Sequence, residues 1–216
     1  PTESTEFVYG HHASVESLKS TQEINKVWLQ TGLQDKIRNE ITQLAKKKKL
    51  VIQQAPKSKL DELTDGGNHQ GVVLSVAAFE YASIDDLFEQ ADKKGEAPFF
   101  VILDGIEDPH NLGSILRTAD AAGVHGIIIP KRRAVQLTAT VAKTSTGAIE
   151  HVPVARVTNL VNIVEELKKR NVWVFGTDMA GDDYRRWDAN GEVALIIGNE
   201  GRGISPLLKK KVDGMV

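Results

Sequence analysis

Apolar and polar positions along this chain change period several times, and the changes mark its elements. Between residues 7 and 78, short apolar runs at Phe7 to Tyr9, Lys26 to Leu29, Leu50 to Gln53 and Gly71 to Val76 predict strands. Helical spacing at His12 to Leu18, Gln34 to Lys48 and Lys57 to Leu63 places helices between them. Together they form a small α/β domain over residues 1–80, about the smallest size that folds alone. Tyr81 to Pro98 carries one helical pattern, Ile84 to Gln90, followed by a charged stretch with Gly95 and Pro98. It is expected to be a linker, 81–98, between two domains.

From Phe99 onward the rhythm is strand, helix, strand. Phe99 to Leu103, Gly126 to Pro130, Val172 to Phe175 and Val193 to Ile197 are apolar throughout, as strands covered on both faces are, and His151 to Val154 offers a shorter strand. Leu112, Ile115, Leu116 and Ala119 give a helix from Leu112 to Ala122 that Gly123 ends. A second helix runs over Gln136 to Thr146, and a third is capped by Thr158 with a stripe of Val161, Val164 and Leu167. Ser205 and Pro206 open a last one. The alternation predicts an α/β domain over 99–216 with a parallel sheet between helices.

Composition narrows the class. An apolar content of 41% supports ordinary cores, and no segment approaches the ~18 apolar residues of a membrane span. No charged-then-apolar leader opens the chain, so a soluble cytoplasmic protein is expected. The absence of cysteine excludes disulfides, thiolate catalysis and Cys-based zinc sites. No histidine stands at ligand spacing with another donor except His11 beside His12, so no metal is expected. With a net charge of −2, contact with a polyanion would have to come from local patches.

Candidate chemistry lies where loops leave the carboxyl ends of the parallel strands: Asp104 to Asn111, Gly176 to Gly181, and Gly198 to Gly203. On the helix after the first loop, Ser114, Arg117, Thr118 and Asp120 face away from the apolar stripe. Gly113, one turn before Arg117, is expected to leave room for a large group to approach the guanidinium. A salt bridge from Arg117 to Asp120 or Glu107 is the plain alternative. The third loop reads G-x-x-G-x-G, which is not the dinucleotide fingerprint, and Ile204-Ser205 after Gly203 lacks the lysine of a P-loop. Lys131, Arg132 and Arg133 follow an apolar strand directly and suit neutralisation of phosphates, with a solvated loop as the alternative. Lys46 to Lys49 reads as a solvated helix C-terminus.

The pattern Asn111-x-Gly113-x-x-x-Arg117 resembles the first motif of the SpoU-type (TrmH-like) RNA 2′-O-ribose methyltransferases, within the SPOUT superfamily. The run from Gly198 through Asn199, Glu200, Gly201 and Arg202 to Gly203 resembles the second. The N-terminal part is similar to the substrate-binding domain of the bacterial 23S rRNA guanosine 2′-O-methyltransferases, so the resemblance covers nearly the whole chain. It implies an L30e-like RNA-binding domain ahead of a SPOUT domain of trefoil-knot type. The family's third motif, an Asn/Ser-rich segment that closes the knot, is not in the sequence, so the knot segment is expected to be missing or incomplete.

The resemblance also implies roles. S-adenosylmethionine would be the cofactor, held by Gly176, Thr177, Gly198 and Gly201. Arg117 would act on the ribose hydroxyl, as base or as the group that orients it beside a phosphate. A guanidinium with a pKa above about 12 favours the second role. Asn111 would hold the loop or the ribose, and Glu200 would fix Arg117 or contact substrate. A homodimer is implied as well. The expected reaction is methylation of a ribose 2′-hydroxyl in RNA, at a guanosine of 23S rRNA. A tRNA methyltransferase, or a non-catalytic RNA-binding or ribosome-assembly factor, is the alternative.

Overall fold

A computed structural model describes residues 5–177 and 191–216. The chain divides into two compact units, 1–80 with Thr138–Thr140 and Tyr81–Leu137 with Val141–Val216. No helix among the described residues is long and apolar enough to cross a membrane.

The first unit runs β1 (Thr5–Tyr9), α1 (His11–Lys19), β2 (Ile24–Gln30), α2 (Asp35–Lys47), β3 (Ile52–Ala55), α3 (Lys57–Leu63) and β4 (Val72–Ala77). Its sheet has the order β1-β4-β2-β3; β4 is antiparallel to both neighbours, and β2 is parallel to β3 across the α2 crossover. Side chains alternate across it. Val27, Leu29, Val72, Leu74 and Val76 pack with Val15, Leu18, Ile41 and Ala45 of α1 and α2 on one face. On the other, Val73 and Ala55 meet Leu60 of α3, with Trp28 and Leu63 alongside. The strand expected over Leu50 to Gln53 lies two residues later, because Lys49 turns the chain at φ 57° after α2. Lys48 is tied down, its Nζ donating to the Ser20 carbonyl at 2.5 Å. His69 is buried: its Nδ1 accepts the Gly71 N–H at 2.9 Å and its Nε2 meets Asp61 at 2.7 Å, a bond that holds the Asp61 carboxyl below its usual range.

The second unit continues with α4 (Ile84–Lys94), β5 (Phe99–Asp104), α5 (Pro109–Ala122), β6 (Gly126–Pro130) and α6 (Ala139–Thr144). A 3₁₀ turn (Ala148–Glu150), β7 (Val154–Val157), α7 (Leu160–Lys169), β8 (Trp173–Gly176), β9 (Val193–Gly198), α8 (Pro206–Lys209) and β10 (Gly214–Met215) follow. The six strands lie in the order β10-β8-β9-β5-β6-β7, all pairs parallel, with β9 and β5 at the centre. Phe100 to Leu103 are all buried, as a strand sandwiched between helix layers requires. One side chain of this size contributes about 1.5–3 kcal/mol when fully buried.

The stretch expected to link the domains is instead part of this core. Ser83 and Asp86 cap α4 reciprocally, Leu87 and Ala91 are fully buried, and Phe88 meets Phe100 edge-on at 4.9 Å. The charged residues Asp92 to Lys94 are the solvent side of its last turn, where Lys93 and Lys94 complement the dipole before Gly95 ends the helix at φ 64°. Gly126 admits the helix to the sheet: a Cβ there would lie 2.2 Å from Leu87 Cγ. In α7 the cap is Asn159, whose side chain accepts the Asn162 N–H, rather than Thr158. The helix expected over Gln136 to Thr146 is confined to Ala139–Thr144 because Gln136 is engaged in loop contacts.

Candidate active site

β5 and β9 pair in register from Phe99 with Val193 to Asp104 with Gly198, so the loops carrying the two motifs leave the sheet side by side. They are bonded to each other. Asn199 Nδ2 donates to the Gly105 carbonyl at 3.1 Å, and the Ser205 N–H donates to Asp104 Oδ2 at 2.7 Å. Asn199 also folds its own loop: its Oδ1 accepts the Gly201 and Arg202 N–H groups, and its backbone exchanges both bonds with Gly203. This Asx turn brings Gly203 so close that a Cβ on Gly198 would lie 2.3 Å from the Gly203 carbonyl carbon. Gly198 thus serves closure of the loop. At Gly201 only Asn199 Oδ1, at 3.4 Å, stands near a would-be Cβ, so that glycine leaves its loop open.

The loop borders a cavity of about 710 Å³. Among the described residues Thr177, Gly198, Glu200, Gly201, Ile204 and Met215 line it, along with Asn199, Arg202, Gly203 and Lys209. Thr177 is fixed by donating its N–H and its hydroxyl to the Ile196 carbonyl, at 2.9 and 2.8 Å. Gly176 sits behind the wall, where a Cβ would lie 2.6 Å from Met215 Sδ and 2.8 Å from Ile204 Cδ1. The volume lies in the range that holds cofactor-sized ligands. Ile204 and Met215 give it apolar lining, and Glu200, Arg202 and Lys209 give it charged lining. The expected loop Gly176 to Gly181 lies outside the described residues after Thr177.

The first motif is placed differently from its sequence reading. Asp108 accepts the His110 N–H, and Pro109 supplies the fixed φ of a first helical position, so α5 starts at Pro109 and Asn111 stands in its first turn rather than in a loop. Gly113 leaves no room for a substrate group. A Cβ there would lie 2.5 Å from Thr144 Cβ and 3.1 Å from the Ser145 nitrogen, so the glycine admits α6 to α5. Arg117 is exposed, and among the described residues no carboxylate pairs with it; Asp120 is bonded to His151 at 3.2 Å instead. Neither Asn111 nor Arg117 lines the cavity, whereas Glu200 does.

Lys131, Arg132 and Arg133 are exposed on the loop after β6, with Arg133 at φ 53°. That loop is held at several points. The Val135 N–H donates to the Ile106 carbonyl at 3.0 Å, tying it to the loop after β5. Gln136 bonds Tyr81 and Arg156, Tyr81 accepts the Leu137 N–H, and Arg156 stacks 4.1 Å from the Tyr81 ring. Sequence reading assigned no part to Asn199, Asp104, Gln136 or Tyr81. Only Asn199 carried a local signal, an Asx residue two before a glycine.

Comparison with known proteins gives the family. The model of the SpoU rRNA Methylase family matches residues 98–216, and that of RNA 2′-O ribose methyltransferase substrate binding matches residues 7–82. A Bacillus subtilis (strain 168) protein named as a TrmH family tRNA/rRNA methyltransferase, YacO, is 54% identical over 212 residues, covering 98% of this chain and 85% of its own. A Staphylococcus haemolyticus relative with the same family name is 53% identical over 208 residues, 95% of this chain and 83% of its own. The SpoU methyltransferase AviRb of Streptomyces viridochromogenes, solved with AdoMet, aligns over 98% of this chain and 79% of its own with TM-score 0.56 and 22% identity. An rRNA methyltransferase from Sinorhizobium meliloti aligns over 99% and 78%, with TM-score 0.55 and 22% identity. At these identities the two structures speak for the fold.

Proposed function

Because the chain belongs to the SpoU methylase family, whose members are S-adenosylmethionine-dependent RNA 2′-O-ribose methyltransferases, we propose that it methylates a ribose 2′-hydroxyl of ribosomal RNA in the cytoplasm. The observation that carries this reading is the second-motif loop, which borders the cavity at the carboxyl edge of the sheet and is bonded through Asn199 to Gly105 of the loop that leads to the first motif.

Thr177, Gly201 and the apolar pair Ile204 and Met215 would hold the cofactor, which supplies an electrophilic methyl group when bound. Glu200, which lines the cavity, would orient the ribose. Arg117, which has no carboxylate partner among the described residues, would clamp an RNA phosphate and hold the neighbouring hydroxyl in line, with Asn111 six residues earlier on the same helix steadying the same RNA strand. Lys131, Arg132 and Arg133 leave the same edge two strands from β9 and would neutralise further phosphates. A second copy of the chain completes the working unit as a homodimer.

The match of residues 7–82 to a substrate-binding domain favours a large folded RNA, and we take a guanosine of 23S rRNA as the target over tRNA. The test is transfer of labelled methyl from S-adenosylmethionine to purified 23S rRNA and to tRNA, with the product mapped by resistance to alkaline cleavage. Label in 23S rRNA at one guanosine is expected. Label in tRNA alone would reassign the substrate, and no label with intact cofactor binding would leave an RNA-binding factor. Light scattering in solution should return twice the monomer mass.

A further inference from the structure

The first unit buries one face of its sheet under α1 and α2, but α3 covers only part of the other. On that face three aromatic rings and a lysine stand together, Trp28 partly covered by its packing on α3. In register across the strands, Phe7 and Lys26 flank Ser75, and Tyr9 and Trp28 flank Val73. The Phe7 and Trp28 ring centroids are 6.1 Å apart, and Lys26 Nζ lies 5.9 Å from the Trp28 ring. Phe7 and Tyr9 are each 38% exposed. Lys26 is exposed and has no carboxylate partner among the described residues.

Burial does not account for Phe7: its neighbour in sequence, Val8, packs into the core while Phe7 faces out. Rings exposed on one sheet face, Phe7 and Trp28 tilted 55° to each other, with a cation beside them match what unpaired nucleobases need, π-surfaces to stack on and a positive charge for the adjoining phosphate. We propose that this face stacks unpaired bases of the RNA substrate, with Phe7 and Trp28 as the platform and Lys26 on the phosphate. The inference rests on the reading of the chain as an RNA methyltransferase and adds where the substrate is gripped.

The test uses the full chain and two labelled RNAs, a single strand of about 12 adenosines and a hairpin duplex, followed by fluorescence anisotropy at several salt concentrations. Phe7→Ala should weaken single-strand binding about tenfold and duplex binding little, since loss of one stacked base is worth about 1–3 kcal/mol. Lys26→Gln should weaken it less and lower the salt slope by about one. Phe7→Tyr should restore affinity, and S-adenosylmethionine binding should be unchanged throughout. Trp28 is left intact because it also packs on α3.

Unchanged single-strand affinity in Phe7→Ala, or equal losses for strand and duplex, would overturn the proposal. So would a change in the chain's own mass in that variant with RNA affinity unaltered, which would give the face to protein association. Failure of the methyltransferase reading is separate: the unaltered chain would then transfer no methyl group from S-adenosylmethionine to RNA, whatever its affinity for the single strand.

Discussion

The two sheets of this protein use their surfaces in opposite ways. The four-stranded mixed sheet leaves part of one face open, and its chemistry-bearing side chains, Phe7, Trp28 and Lys26, stand on that face. The six-stranded parallel sheet is apolar and buried along its inner strands β5 and β6; its candidates sit on loops at one edge and on α5. Strand pairing explains the contrast. An antiparallel pair needs no helix between its strands and can leave a face to solvent, while each parallel step brings a crossover that covers one. A face gives broad, sequence-tolerant contact, and an edge gives convergence of a few groups on one point.

The sharpest break in that comparison comes from Arg117→Ala. If the edge carries the chemistry, the variant should lose methyl transfer by about a thousandfold, the scale of a lost transition-state contact, with folding and most cofactor affinity retained. Retained turnover would remove Arg117 from the reaction. The next largest effect is expected from Asn199→Ala. It deletes three bonds that shape the second loop and tie it to the first, worth about 1 kcal/mol each, so cofactor affinity measured by calorimetry should fall about a hundredfold. An unchanged affinity would mean the loop is shaped without that side chain.

Gly126→Ala tests the covered face rather than the edge. The added methyl group meets Leu87, and overpacking of this kind costs about 1–3 kcal/mol, to be read as a lowered denaturation midpoint. The smallest effect is expected in the first unit. Asp61 is held below its usual range by its bond to His69, so it stabilises the fold above the unfolded carboxylate value of about 4 and loses that contribution as pH falls below it. Asp61→Asn should flatten the pH dependence of stability in that acid range and alter little at neutral pH, as thermal melts across pH would record.

Local chemistry made much of this architecture legible. Gly123 and Gly95, the apolar run of β5 and the proline opening α5 each act within a few residues of themselves, and a sequence read in windows captures such effects. What escaped depends on distant partners. The bond from Asn199 to Gly105 spans 94 positions, and nothing near Gly113 reveals that Thr144 fills the space beside it. The error over residues 81–98 has a different origin. Charge on three consecutive residues read as a loop, because the partners that bury Leu87 and Phe88, Gly126 and Phe100, come later in the chain.

That helix decides how the protein can be cut. The family match begins at residue 98, which invites a fragment starting at Phe99, yet such a fragment would strip α4 from the sheet and bare Phe100 and the strand around Gly126 to water. Its newly exposed apolar surface would favour aggregation over folding. A fragment starting at Tyr81 keeps the helix, its cap and the Tyr81 contacts to Gln136 and Leu137, and should fold on its own.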